Sequence, residues 1–343
     1  MLAGMTTRQR YACQAPSGVE SAGTTQGSEM PDLQRHDCAV AFCCDRKFFH
    51  FALFMIRQIA FHNPVRRFDF VISTEDDLQV PDWALPFGIV LHRPAALPDV
   101  ANHPNLDGKA AYLHRFFLAR EFLGRYRRIL YLDCDMFVEG GDLNRLFETD
   151  MGSHPVGMVL DSRYFLVAEF HAAEFRLAGL PAMPYANAGL KLIDTRAYCE
   201  QEVERRSFDA VKIAPEAIIL ADQSMLNLAL KGQFAKLAPC WNWQLTDRLP
   251  LITARYPVFL RHFISVTKPD RDSSGKLDPR FNLAYREFLT NFIPELLPTL
   301  APPCDVTPIG LKDLAKMALK HLGASRLIAD FLADHPDPYR ANL

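Results

Sequence analysis

The segment Arg128-Ile129-Leu130-Tyr131-Leu132-Asp133-Cys134-Asp135-Met136-Phe137-Val138 constrains this chain more than any other. An apolar run with the length of a buried strand stops at two aspartates two positions apart. An extended chain alternates its side chains between faces, so Asp133 and Asp135 are expected on one side and Cys134 on the other. Paired carboxylates at a strand end suit a hard divalent cation, and a cation there suits a diphosphate. The pattern is weak by itself, because a chain of this length carries about one Asp-x-Asp by chance. Asp270 and Asp272 form a second such pair, in a polar stretch with Pro269 and Ser273 that reads as a solvated loop. Only the first pair follows an apolar run.

Strands are expected at Cys38–Cys44, Phe68–Ser73, Gly88–His92, Val156–Leu160, Gly189–Ile193 and Val258–His262. Between them, helices are expected at Phe48–His62, Lys109–Phe122, Arg196–Phe208 and Asp222–Leu230. Such alternation predicts an α/β fold with a mixed, mostly parallel sheet flanked by helices. Ligands of these sheets sit beyond the carboxyl ends of strands. Asp45 follows the first strand, so it is expected to share a crevice with Asp133 and Asp135. Beyond Gly275 the character changes to short amphipathic helices, expected at Asn282–Phe292, Leu311–His321 and Ser325–Ala333. Three parts result: a disordered leader over 1–35, a main α/β domain over 36–274, and a small C-terminal helical extension over 275–343.

Composition narrows the functional classes. Apolar residues make up 49% and charged residues 23%, the profile of an ordinary globular protein. A net charge of −2 argues against general nucleic-acid binding. No stretch has the length and apolarity of a membrane span or a secretory signal. The eight cysteines form no C-x-x-C pair and read as buried thiols in a reducing cytoplasm. Lys312, Lys316 and Lys320 recur at four-residue spacing; the plain reading is a solvated face, the sharper one a peripheral contact with an acidic membrane surface.

Six segments in order resemble the retaining glycosyltransferases of family 8, which have a GT-A fold. They are Ala41-Phe42-Cys43-Cys44-Asp45, Lys109-Ala110-Ala111-Tyr112-Leu113-His114-Arg115, Tyr131-Leu132-Asp133-Cys134-Asp135, Asn187-Ala188-Gly189, Asp222-Gln223-Ser224-Met225-Leu226-Asn227, and His262-Phe263-Ile264-Ser265-Val266-Thr267-Lys268-Pro269. The resemblance implies transfer of a hexose, glucose or galactose, from a UDP-sugar to a saccharide hydroxyl, as in envelope lipopolysaccharide synthesis. It implies that Asp133, Asp135 and His262 bind Mn2+, or Mg2+ in its place, and that Lys268 reaches the diphosphate. It also implies that Asp45 contacts uracil and ribose, and that Phe48 stacks on uracil where the family often has tyrosine. Arg115 would touch donor sugar and phosphate, and Asp161 and Asn187 the sugar. Asp222 and Gln223 would lie nearest the reacting carbon.

The chemistry of these residue types agrees. Carboxylate and imidazole suit Mn2+, a lysine adds charge where a diphosphate departs, and a planar guanidinium forks onto sugar and phosphate. An amide such as Gln223 is a poor nucleophile for double displacement, which favours front-face attack by the acceptor beside the leaving phosphate. Each residue also has a plainer reading: His262 as a core histidine, Phe48 as packing, Asp222 as a helix N-cap. Two positions depart from the family pattern. Ser265 replaces a glycine, and Asp270 stands where an aromatic often follows Lys-Pro. Two other functions remain open: a nucleotidyltransferase, which should carry a glycine-rich loop where Cys44-Asp45-Arg46-Lys47 stands, and a non-catalytic nucleotide- or sugar-binding module.

Overall fold

Strand β1 (Cys38–Cys43) is buried along its whole length because each face serves a different core. Val40 and Phe42 share one core with Leu53, Met55 and Ile56 of the Phe49–His62 helix. Ala39, Ala41 and Cys43 share the other with Phe116, Phe117 and Met225. A strand covered on both faces needs no polar alternation, which accounts for the unbroken apolar runs. The computed structural model describes residues 36–343 except 98–102, 107–109, 168, 246–255, 274 and 303–309. The expected leader over 1–35 and Lys109 lie outside the described residues.

The remaining strands are β2 (Asp69–Ser73), β3 (Ile89–His92), β4 (Arg128–Leu132), β5 (Met136–Val138), β6 (Val156–Met158), β7 (Leu190–Asp194), β8 (Ala235–Lys236) and β9 (Leu260–His262). Seven form one sheet in the order β3-β2-β1-β4-β7-β6-β8. β3, β2, β1 and β4 run parallel. β7 is antiparallel to both β4 and β6, and β8 pairs parallel with β6. The sheet is therefore mixed and mostly parallel, flanked by helices. β5 and β9 form a separate antiparallel pair that sets Met136 opposite His262.

Four expected helices differ. Lys109–Phe122 breaks into a helix at Ala110–Leu113, a tight 3₁₀ turn at His114–Phe116, and a helix at Leu118–Glu121. His114, Arg115, Phe116 and Phe117 are all buried in succession, which one face of a regular helix does not allow. Arg196–Phe208 splits into Thr195–Glu200 and Val203–Ile213, with Glu202 between them in left-handed conformation. Neither glycine nor proline announces that break. The two short helices expected over 311–333 are one, Leu311–Ala333, running through Gly323, whose missing Cβ has no neighbour to avoid.

The helix expected at Asn282–Phe292 begins earlier, as Pro279–Phe292, with Asp278 as N-cap and proline first. Its Tyr285, Phe288 and Leu289 join the same core as β1. No helix among the described residues is long and apolar enough to cross a membrane.

Candidate active site

A cavity of about 490 Å³ opens beyond the carboxyl ends of β1 and β4. It has a polar end, with Arg115, Asp133, Asp135, Asp222 and Lys268, and an aromatic end, with Phe48, Phe51, Phe54, Phe281 and Tyr285. Asp45 lines the same cavity, so the expected crevice forms.

The two aspartates converge by a different route from the one expected. β4 ends at Leu132, and 133–135 turn rather than extend. The Asp133 amide donates to Gly189 O at 2.8 Å, pinning this turn to the chain entering β7. His262, last residue of β9, then brings Nε2 to 3.7 Å from Asp133 Oδ2 and 3.3 Å from Asp135 Oδ1. These three form the one metal-ligand cluster found among the described residues.

His262 is held by its other nitrogen. Nδ1 lies 3.1 Å from Asn187 Oδ1 and 3.0 Å from Asn242 Oδ1. Two acceptors at Nδ1 favour the tautomer with the proton there, which leaves the Nε2 lone pair facing two carboxylates. That arrangement is repulsive unless a cation or a proton sits between the groups. Asp135 Oδ1 is, besides, buried without a hydrogen-bond partner. The donor set thus fits a divalent cation. Burial raises the Asp135 pKa, but His262 and Lys268 outweigh it and hold the carboxyl below its usual range. Lys268 Nζ sits 2.7 Å from Asp135 Oδ2 and also donates to Phe263 O. A Cβ at Gly189 would stand 2.3 Å from His262 Cε1, so only glycine fits beneath the imidazole.

Arg115 bridges the polar end. Its guanidinium lies 3.1 Å from Asp133 Oδ1 and 2.7 Å from Asp222 Oδ2. Burial opposes its charge, but the two aspartates prevail and raise its pKa. Asp222 opens the Asp222–Leu230 helix but is not its cap. The cap position falls to Ala221 at φ 49°, ψ −125°, a conformation that costs a non-glycine residue about 1–3 kcal/mol.

The sugar-side candidates form one hydrogen-bonded chain. Asn187 Oδ1 accepts from Gly189 N and Asn242 Nδ2, and its Nδ2 donates to Gln223 Oε1 at 3.0 Å. Gln223 Oε1 also accepts from Ala188 N, and its Nε2 donates to Asp161 Oδ2 at 3.2 Å. Asp161 caps the Ser162–Leu166 helix and pairs with Arg163. At the far side, Asp45 Oδ1 accepts from Phe48 N at 3.0 Å. Ser265, the glycine replacement, folds its hydroxyl onto Thr267 N and O.

Three participants escaped the sequence reading. Tyr131 donates its hydroxyl to Asp133 Oδ1 at 2.6 Å; strand alternation from 131 to 133 was an available signal. Lys191 is fully buried, 4.1 Å from the Tyr131 ring centre, with Nζ 3.3 Å from Ala188 O. Burial, then Arg115, pushes its pKa down to about 7 against the pull of Asp222 and Asp133. A lone lysine within Leu190-Lys191-Leu192-Ile193 was the clue. Asn242, between two tryptophans, carried no signal.

Residues 39–273, more than half of the chain, match the family model described as glycosyl transferase family 8. The chain belongs to glycosyl transferase family 8. It is 28% identical over 188 residues to the glycosyltransferase GlyE of Streptococcus pneumoniae serotype 4, a match covering 50% of this chain and 42% of GlyE. It is 29% identical over 171 residues to the lipopolysaccharide glucosyltransferase WaaO of Escherichia coli K12, covering 47% and 49% respectively. These matches span under half the length of each relative. The family fold extends to the galactosyltransferase LgtC, crystallised with donor and acceptor sugar analogs. That structure superposes with a TM-score of 0.60 at 19% identity, over 76% of this chain and 100% of LgtC. The fold is therefore GT-A.

Proposed function

We propose that this glycosyltransferase moves a hexose, glucose or galactose, from a UDP-sugar to a saccharide hydroxyl with retention of configuration, using Mn2+ held by Asp133, Asp135 and His262. The observation that carries the reading is the doubly anchored Nδ1 of His262, which commits Nε2 to the two carboxylates. Family membership sets the nucleotidyltransferase alternative aside. The likeness to WaaO favours an envelope saccharide as acceptor class.

A divalent cation held by Asp133, Asp135 and His262 would supply charge neutralisation for a departing diphosphate. Lys268 and Arg115 add fixed positive charge at the polar end of the cavity, where the leaving group would lie. Asp222 is occupied by Arg115, and the Gln223 carbonyl accepts two N–H donors. Neither is offered as a bare nucleophile, which supports front-face attack. In that step the acceptor oxygen bonds to the anomeric carbon as the carbon–phosphate-oxygen bond breaks on the same face, and the acceptor proton passes to the departing phosphate oxygen. The Asn187–Gln223–Asp161 chain orients the sugar. The second N–H of Asn187 is the one its bond to Gln223 leaves over.

Calorimetric titration of UDP into metal-free protein, with and without Mn2+, tests this reading. Binding that requires Mn2+ and is lost in Asp135→Ala is expected. Mn2+-independent binding would point to a nucleotide-binding module without metal chemistry.

The C-terminal helix supports a peripheral membrane contact in the same reading. Leu311 and Leu322 are 86% and 73% exposed, on a face adjoining Lys312, Lys316 and Lys320. Co-sedimentation with anionic but not neutral vesicles is expected, and equal partitioning would end the idea.

A further inference from the structure

We propose that Tyr285 reads the nucleobase of the donor nucleotide. This rests on the nucleotide-sugar reading and assigns a residue to the aromatic end of the cavity. Tyr285 lies outside the segment 39–273 that matches the family. The Pro279–Phe292 helix carries Phe281 and Tyr285, one turn apart, into the cavity wall.

The Tyr285 ring is fixed by its neighbours. It lies parallel to Phe51, with centroids 4.9 Å apart and planes at 8°, and meets Phe54 edge-on at 5.2 Å. Phe51 in turn sits 5.7 Å from Phe48. Phenylalanine at 285 would serve this packing fully. The hydroxyl instead is buried with no hydrogen-bond partner, a costly state for a polar group. Burial, then the nearby Asp270, raises its pKa, so it remains a protonated donor at neutral pH.

The polar and the aromatic groups line one cavity, with Asp45 and Phe48 also on its wall. A ligand with its diphosphate at Lys268 and Arg115 must place its nucleoside toward the aromatic end. A planar heteroaromatic base both stacks on such rings and offers a carbonyl oxygen to a phenol. The unsatisfied hydroxyl and the unoccupied hydrogen-bonding edge of a base complete each other.

The test is calorimetry on the full chain with Mn2+, comparing UDP with ribose 5-diphosphate, which lacks the base, in wild type and Tyr285→Phe. The variant keeps the stacked ring, and a thermal melt checks that it folds. Expected is an affinity loss of about three- to tenfold for UDP, the range for one neutral hydrogen bond, and no loss for ribose 5-diphosphate. Unchanged UDP affinity in the variant overturns the role of Tyr285 alone. Equal losses on both ligands also overturn it, because the effect would then not depend on the base. Wild-type protein that binds neither ligand overturns the nucleotide-sugar reading, and this proposal with it.

Discussion

Asp133 and Asp135 leave β4 in a turn and converge on one imidazole, at 3.7 and 3.3 Å. Asp270 and Asp272 share their spacing but diverge. Asp270 pairs with Arg271 Nε at 3.2 Å, and Asp272 turns inward to accept from Leu277 N at 2.8 Å. Both pairs lie in turns, so local conformation does not separate them. The difference lies in the groups that the fold delivers opposite each pair. The first pair is backed by the parallel sheet and met by β9, which carries His262. The second caps its own loop. A carboxylate pair becomes a candidate metal site when other strands bring ligands and compensating cations to it.

This contrast can be broken most directly at the ligands. Asp135→Ala should weaken Mn2+ binding by more than about a hundredfold, beyond the usual effect of a supporting residue. Asp270→Ala should change it less than about twofold, because Asp270 lines the same cavity but pairs with Arg271 and is outside the cluster with His262. Electron paramagnetic resonance of free Mn2+ measures both, and comparable losses would erase the distinction between the pairs. Next in size is Gly189→Ala. Its Cβ would collide with the His262 ring, and Mn2+ affinity should fall about 10- to 100-fold. An unchanged affinity would mean that the imidazole is free to move aside.

The cations behind the first pair give a pH signature. Lys191 has its pKa pushed down to about 7, while an unfolded chain keeps a lysine proton to about pH 10.4. Between these values the unfolded state binds more protons, so stability should rise with pH, by at most about 1.4 kcal/mol per unit. Below pH 7 both states are protonated and the slope vanishes. Lys191→Met should abolish the rise, as urea unfolding at pH 7, 8 and 9 would show; a rise that persists assigns it to another group. The smallest effect is expected at the second pair. Asp272→Ala, which leaves the Leu277 amide unpaired, should cost about 1–2 kcal/mol of stability and leave Mn2+ affinity intact. Metal loss there would contradict its purely structural place.

Much of the fold was legible because it depends on local regularities. Buried strands such as Cys38–Cys43 show as apolar runs, and helices such as Phe49–His62 and Asp222–Leu230 show as longer stretches between them. The breaks at His114 and Glu202 were not legible, since they answer to distant packing: four consecutive side chains must be buried near 114, and the chain must turn at 202 without glycine or proline.

By itself the sequence determined the α/β alternation and the family, because side-chain chemistry and order along the chain suffice for those. Tertiary structure alone decided which side chains meet. It set the His262 tautomer through Asn187 and Asn242, buried Lys191 behind Tyr131, strained Ala221 beside Asp222, and brought Tyr285 against Phe51. Each of these depends on the distance between groups far apart in the chain, and burial and electrostatics change steeply with that distance.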